Sequence, residues 1–317
     1  MRVLVTGIGG FVGPVLARAL LARGHEVHGI LRRAPEGRLR DLPVTLHQAD
    51  VLAADGAGRV VAAVRPDGVA HLAGLSFVPA ADADPEAALR GNRDTTLAVL
   101  RAVYAHAPAA RLLVVSSCAV YGLVDPRDLP VGEDAPLRPV NRYGESKLAA
   151  EEIALAFGRE HGLDVVRARP FNHTGPGQSS AFVCAGLARQ VAAIEAGRQE
   201  PVLQVGNVDA VRDFSDVRDI AEGYAALLER GAGGAVYNLC SGVGTSIAEV
   251  IATLRAHARV PMWVRADPAR RRNADVPRLV GSHARAEREL GWRPRIALAD
   301  TLRDTLEYWR RRVVDEG

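Results

Sequence analysis

The residues with the clearest chemistry are Tyr143 and Lys147, four apart in Tyr143-Gly144-Glu145-Ser146-Lys147. That spacing puts both side chains on one face of a helix. A free phenol titrates near about 10, too high for easy proton exchange at neutral pH, and a neighbouring ammonium favours the phenolate. Lys147 is expected to supply that charge. Such a tyrosine passes a proton to or from a carbonyl or alcohol oxygen, which is half of a carbonyl–alcohol redox step. The other half is a hydride, and that requires a carrier. Any solvated helix can hold Tyr and Lys at this interval, so the neighbours decide.

The surrounding text supplies the elements that would position such a pair. Short β-branched runs (Val3–Val5, Val27–Leu31, Gly68–Leu72, Leu112–Ser116) alternate with helix-like segments such as Phe11–Arg23. The expected fold is α/β: a doubly wound parallel sheet of Rossmann type, with ligands at the carboxyl ends of the strands. Gly7-Ile8-Gly9-Gly10-Phe11-Val12-Gly13 follows the first run and opens the first helix, so backbone amides can meet a pyrophosphate at the helix N-terminus. At the end of the second strand, where an NAD enzyme places an acid on the ribose, the sequence reads Arg32-Arg33. Two planar guanidiniums suit a 2′-phosphate, which favours NADP(H).

Glycines at Gly7, Gly10 and Gly13, together with the Tyr143/Lys147 pair, resemble the extended short-chain dehydrogenase/reductase superfamily, and the resemblance runs through the whole chain. It implies Ser117, in Val114-Val115-Ser116-Ser117-Cys118-Ala119-Val120-Tyr121-Gly122, as the hydroxyl that joins Tyr143 and Lys147 in a catalytic group. It further implies cofactor contacts from Gly7, Gly10, Phe11, Val12 and Gly13, from Arg32 and Arg33, and from Asp50-Val51. Leu72-Ala73-Gly74, Tyr143, Lys147, Pro170 and Asn172 complete that set.

Two later stretches narrow the likeness. Arg169-Pro170-Phe171-Asn172-His173-Thr174-Gly175-Pro176-Gly177-Gln178 and Val205–Asp219 are similar to the GDP-mannose dehydratase and GDP-4-keto-6-deoxy-mannose reductase group, and Tyr237–Gly242 and Arg272–Pro277 continue it. The resemblance implies a GDP-sugar substrate held by Ser117, Asn172, Val183, Asn207, Arg212, Arg272 and Asp275, with Ser180 and Gln190 as further lining. Arginines suit its diphosphate. A dehydratase of this group carries a glutamate two positions after the Ser/Thr, as the extra acid/base that dehydration needs. This chain has Ala119 there, beside Cys118, and neither can do that work at neutral pH. The expected reaction is therefore NADPH-dependent reduction of the C4 ketone of GDP-4-keto-6-deoxy-D-mannose, to GDP-D-rhamnose or its C4 epimer. A 4,6-dehydratase, a C4 epimerase and a catalytically silent NADP-sensing protein are the alternatives.

Composition fits these readings. Of 317 residues, 48% are hydrophobic, enough for a sizeable core, and a net charge of +3 without a basic cluster argues against nucleic acid. Cys118, Cys184 and Cys240 are odd in number and far apart, so neither disulfides nor a metal site is expected. No stretch reaches the roughly 20 apolar residues of a membrane span, and the N-terminal apolar run is too short for export, so a cytoplasmic protein is expected. The expected division is 1–168, with 213–240 returning to it, for NADP, and a discontinuous 169–317 for the nucleotide-sugar. By the same family likeness, the helices near Asn92–His106 and Tyr143–Phe157 are expected to pair subunits into a homodimer or homotetramer.

Overall fold

The computed structural model describes residues 1–33, 37–270 and 276–315. Among them, seven strands form one all-parallel sheet: β1 (Arg2–Thr6), β2 (Glu26–Leu31), β3 (Thr45–Gln48), β4 (Gly68–His71), β5 (Arg111–Val115), β6 (Val165–Pro170) and β10 (Val236–Leu239), in the order β10-β6-β5-β4-β1-β2-β3. Val3, Leu4 and Val5 are all fully buried, which explains why the run is continuously apolar: the central strand has helices on both faces. One face takes α1 (Gly13–Ala22) and α8 (Val217–Arg230), through Leu16, Leu20, Ile220, Tyr224 and Leu227. The other takes α2 (Gly56–Val64), α5 (Thr95–His106) and α6 (Arg142–His161), through Val60, Val61, Leu100, Val103 and Ala154. Chain order reverses between β1 and β4, and the carboxyl edge there opens a crevice.

The remaining elements build a second core. Strand β9 (Val211–Asp216) pairs with β7 (Asn172–Thr174) and β13 (Arg278–Leu279) in parallel and with β11 (Gly244–Ser246) antiparallel, while β8 (Val202–Val205) pairs with β12 (Trp263–Ala266). Helices α7 (Val183–Glu195), α9 (Ile247–Ala256) and α11 (Leu298–Asp315) enclose Leu187, Val191, Phe214, Leu254, Leu302, Leu306 and Trp309. A capping box starts α9: Ser246 accepts from Glu249 N while the Glu249 carboxylate accepts from Ser246 N. The chain crosses from β6 into β7 through Phe171, so the carboxyl end of β6 leads straight into the second core. That crossing sets the two halves on opposite sides of the crevice.

Candidate active site

A cavity of about 1230 Å³ fills the crevice. It exceeds the roughly 300–1,000 Å³ usual for one ligand, so it has room for two. The glycine turn forms one end. Gly13 opens α1 so tightly that an added Cβ would stand 2.1 Å from the Ile8 carbonyl oxygen. The helix that follows has neither a side-chain cap nor an acid in its first turn. Pro14 has no N–H and Val15 N donates to the Val12 carbonyl at 3.0 Å, so the amides offered to an anion at this end are those of the turn ahead of Pro14. Gly7, Gly10, Phe11 and Val12 line the same end; Arg32 and Arg33, both exposed, line it beyond β2. These residues fit a dinucleotide phosphate.

Asp50 and Val51 lie beyond β3 on the cavity wall, where the Asp50 Oδ1 accepts from Leu52 N at 2.9 Å. Leu72, Ala73 and Gly74 line the turn after β4, tied down by Ala73 N donating to the Thr6 hydroxyl and Leu75 N donating to Asn92. Thr6 in turn lies 2.7 Å from His71 Nδ1. Burial, helped by the charge of Lys147, pushes His71 down to about 3, so it is a neutral buried support.

Ser117, Tyr143 and Lys147 all line the cavity, with Tyr143 hydrogen-bonded to Ser117. Asn141 caps α6 by accepting from Gly144 N at 2.8 Å, which puts Tyr143 in the first helical turn. A side chain at Gly144 would stand 2.7 Å from the Ala119 carbonyl oxygen, so glycine lets α6 close on the Ser117 turn. Burial raises Tyr143 to about 12, a hydrogen bond with Ser117 acting against it. Here the structure corrects the expectation that Lys147 lowers the phenol. The Lys147 ammonium instead donates to the Val115 carbonyl at 3.0 Å, and burial pushes it down to about 8. In the protein alone, Tyr143 is held as a proton donor.

Pro170 and Asn172 line the crossing between the two halves; Val183, Asn207 and Arg212 line the second. Ser180 and Gln190 also face the cavity, although Gln190 is engaged with the backbone of Gln204 on both sides. Arg212 donates to the Val211 carbonyl at 2.9 Å. Arg272 and Asp275 lie outside the described residues. Neighbouring Asp213 is closed off, its carboxylate accepting from Ser241 N and Oγ, Gly242 N and Gly281 N. Cys118 is equally inert, its thiol pushed up to about 12 by burial.

Several contacts around the cavity escaped the sequence reading. Phe77 and Phe182 meet edge to face at 5.6 Å, and Phe11 stacks on His173 at 6.1 Å, each pair joining the two halves. Arg38 also lines the glycine-turn end. Beneath the site, Arg169 bonds Glu151 on α6 at 2.5 Å and the Tyr121 hydroxyl at 3.0 Å, and Tyr121 donates to Asn238 at 2.7 Å. This buried network binds α6, the Ser117 turn and β6 to β10. None of these partners is near the other in sequence, so spacing carried no signal.

Fold and site together define a nucleotide-sugar-modifying enzyme class, and the chain belongs to the GDP-mannose 4,6 dehydratase family, whose model matches residues 4–305. It is 42% identical to the GDP-6-deoxy-D-mannose reductase of Pseudomonas aeruginosa, over 99% of each chain. It is 32% identical to the UDP-glucose 4-epimerase of Azospirillum brasilense, over 98% of this chain and 92% of the relative. Among solved structures, RMD from Pseudomonas aeruginosa complexed with NADPH superposes with a TM-score of 0.86 at 39% identity, covering 98% of this chain and all of that one.

Proposed function

We propose that the protein is an NADPH-dependent reductase of GDP-4-keto-6-deoxy-D-mannose, which converts the C4 ketone to the alcohol of GDP-D-rhamnose or its C4 epimer. The observation that carries this reading is the make-up of the cavity wall. Ser117, Tyr143 and Lys147 all belong to it, while among the described residues the one carboxylate lining it is Asp50. Asp50 follows β3, four strands across the sheet from β5, roughly 19 Å away at about 4.8 Å per strand. A carboxylate there is out of reach of a sugar ring at Tyr143. Among the described residues, dehydration, which needs a second acid/base at the ring, is left without one. The 42% identity to a GDP-6-deoxy-D-mannose reductase supports the same choice.

In this reading the glycine turn holds the coenzyme diphosphate, Arg32 and Arg33 hold the 2′-phosphate, and Asp50, Val51 and Leu72–Gly74 line the nucleoside path. When bound, NADPH supplies the hydride for C4. Tyr143 gives its proton to the developing alkoxide, the Ser117 hydroxyl donates to the same oxygen, and the Lys147 charge steadies both. Arg212 and Arg272 hold the sugar diphosphate, Asn172 bonds the sugar or its phosphate, and Val183, Asn207 and Asp275 are further substrate-binding residues. Residues 1–168 with 213–240 form the coenzyme half; the rest of 169–317 forms the sugar half. A homodimer through α5 and α6 is supported by Tyr104, 48% exposed yet clustered with Phe157 and His161. Among the described residues no helix is long and apolar enough to cross a membrane, and the three cysteines are free and buried, as suits a reducing cytoplasm.

The test incubates the protein separately with GDP-mannose, with GDP-4-keto-6-deoxy-D-mannose plus NADPH, and with UDP-glucose, and identifies the products. NADPH oxidation with the keto-sugar alone is expected. Conversion of GDP-mannose to a keto-sugar points to the dehydratase, and coenzyme-neutral conversion of UDP-glucose to the epimerase. Coenzyme binding with no turnover of any of the three points to the silent sensor.

A further inference from the structure

Arg38 precedes Leu39, which is 3% exposed and anchored in the core with α1, so the backbone is fixed where Arg38 leaves it. The Arg38 side chain is half-buried and faces the glycine-turn end of the cavity. Its Nη1 lies 3.5 Å from the Phe11 carbonyl oxygen, and its own carbonyl accepts from Arg18 at 3.2 Å. On the opposite side it lies against the loop that follows Asn172, so close that a Cβ added at Gly177 would stand 2.3 Å from Nη1. Arg38 therefore spans the crevice beside the stacked Phe11 and His173.

Its charge is poorly matched by protein. A contact at 3.5 Å is at the outer limit for a hydrogen bond, and among the described residues Arg38 forms no ion pair. Burial lowers its pKa, an effect that nearby Tyr308 opposes and the Arg18 guanidinium adds to. A half-buried cation without a counter-ion is costly unless an anion arrives with the ligand. The adjacent turn ahead of Pro14 presents the same unmet demand, since α1 has no side-chain cap and no acid in its first turn.

We propose that Arg38 binds the pyrophosphate of the dinucleotide coenzyme and, lying against Gly177, clamps the 172–178 loop over it. The proposal rests on the reading of this cavity as an NADP(H) site. Its role differs from that of Arg32 and Arg33. They lie at the exposed end of β2 and discriminate the 2′-phosphate, whereas Arg38 acts on the part common to both coenzymes.

Equilibrium fluorescence titration of the full chain with NADPH and with NADH, without sugar, separates these roles. Wild-type titration tests the cavity reading, and the variants test Arg38. Arg38→Gln should weaken both coenzymes by the same factor, about 10–100-fold for a lost charge-assisted contact, with thermal unfolding of the unliganded chain unchanged. Arg38→Lys, which keeps the charge and loses the fork, should fall between. Arg32→Ala and Arg33→Ala should weaken NADPH alone. If the wild type binds coenzyme and Arg38→Gln leaves both affinities unchanged, or weakens NADPH only, the proposal is overturned.

Discussion

The two ends of the cavity are built by different means. At the proposed coenzyme end the wall is largely main chain, a glycine turn with no room for a Cβ at Gly13 and the amides ahead of Pro14, with Arg38 beside it. The sugar end is lined by side chains from separate elements, Asn172 on β7, Val183 on α7 and Arg212 on β9. Backbone recognition depends on a path that either forms or does not. Side-chain recognition is divided among contacts that can be lost singly. Backbone substitutions in the glycine turn should act nearly all-or-none, and side-chain substitutions, at Arg38 as at the sugar end, in increments.

The sharpest way to break this contrast is Gly13→Ala. Its methyl meets a backbone oxygen that cannot turn aside, so NADPH titration should detect no binding; a merely graded loss would contradict the main-chain account. Next comes Tyr143→Phe, which should slow steady-state turnover by about 10²–10⁴-fold while coenzyme affinity stays near wild type. Arg212→Ala should be smaller again, raising KM for the nucleotide-sugar about 10–100-fold and leaving NADPH affinity alone. An equal loss for both ligands would mean that the two ends are not separate.

The smallest effect is that of pH. Lys147 is charged below about 8 in the folded protein, so kcat/KM for reduction should be full at neutral pH and decline as pH rises through about 8. Tyr143, at about 12, remains protonated throughout that range. Lys147→Arg should move the decline out of the measurable range; an unmoved decline would assign it to another group. Folding stability should run the other way. Between about 8 and the unfolded value of 10.5 the unfolded chain binds a proton that the folded chain does not, so stability rises with pH in that window.

The same division explains what could be read from sequence. The glycine turn and the Tyr143/Lys147 pair are local, because a strand-to-helix turn and one helical turn each fix their geometry within a few residues. The parallel sheet was legible because buried strands such as Val3–Val5 carry unbroken apolar runs. Arg38, the Phe77–Phe182 contact and the Arg169–Glu151–Tyr121 network were not, because each forms only when distant segments pack. Ionisation was misjudged for a related reason. Spacing places Lys147 near Tyr143 but says nothing of their burial, which dominates both pKa values.

In the proposed reaction the cavity performs a single hydride reduction at C4 and releases oxidised coenzyme each turnover. Reaction of GDP-4-keto-6-deoxy-D-mannose with NADPH deuterated at the transferred position, followed by mass spectrometry and NMR of the product, tests it directly. One deuterium, at C4, and one NADP⁺ formed per sugar reduced are expected. Loss of keto-sugar without NADPH oxidation, or deuterium at any other carbon, would contradict it.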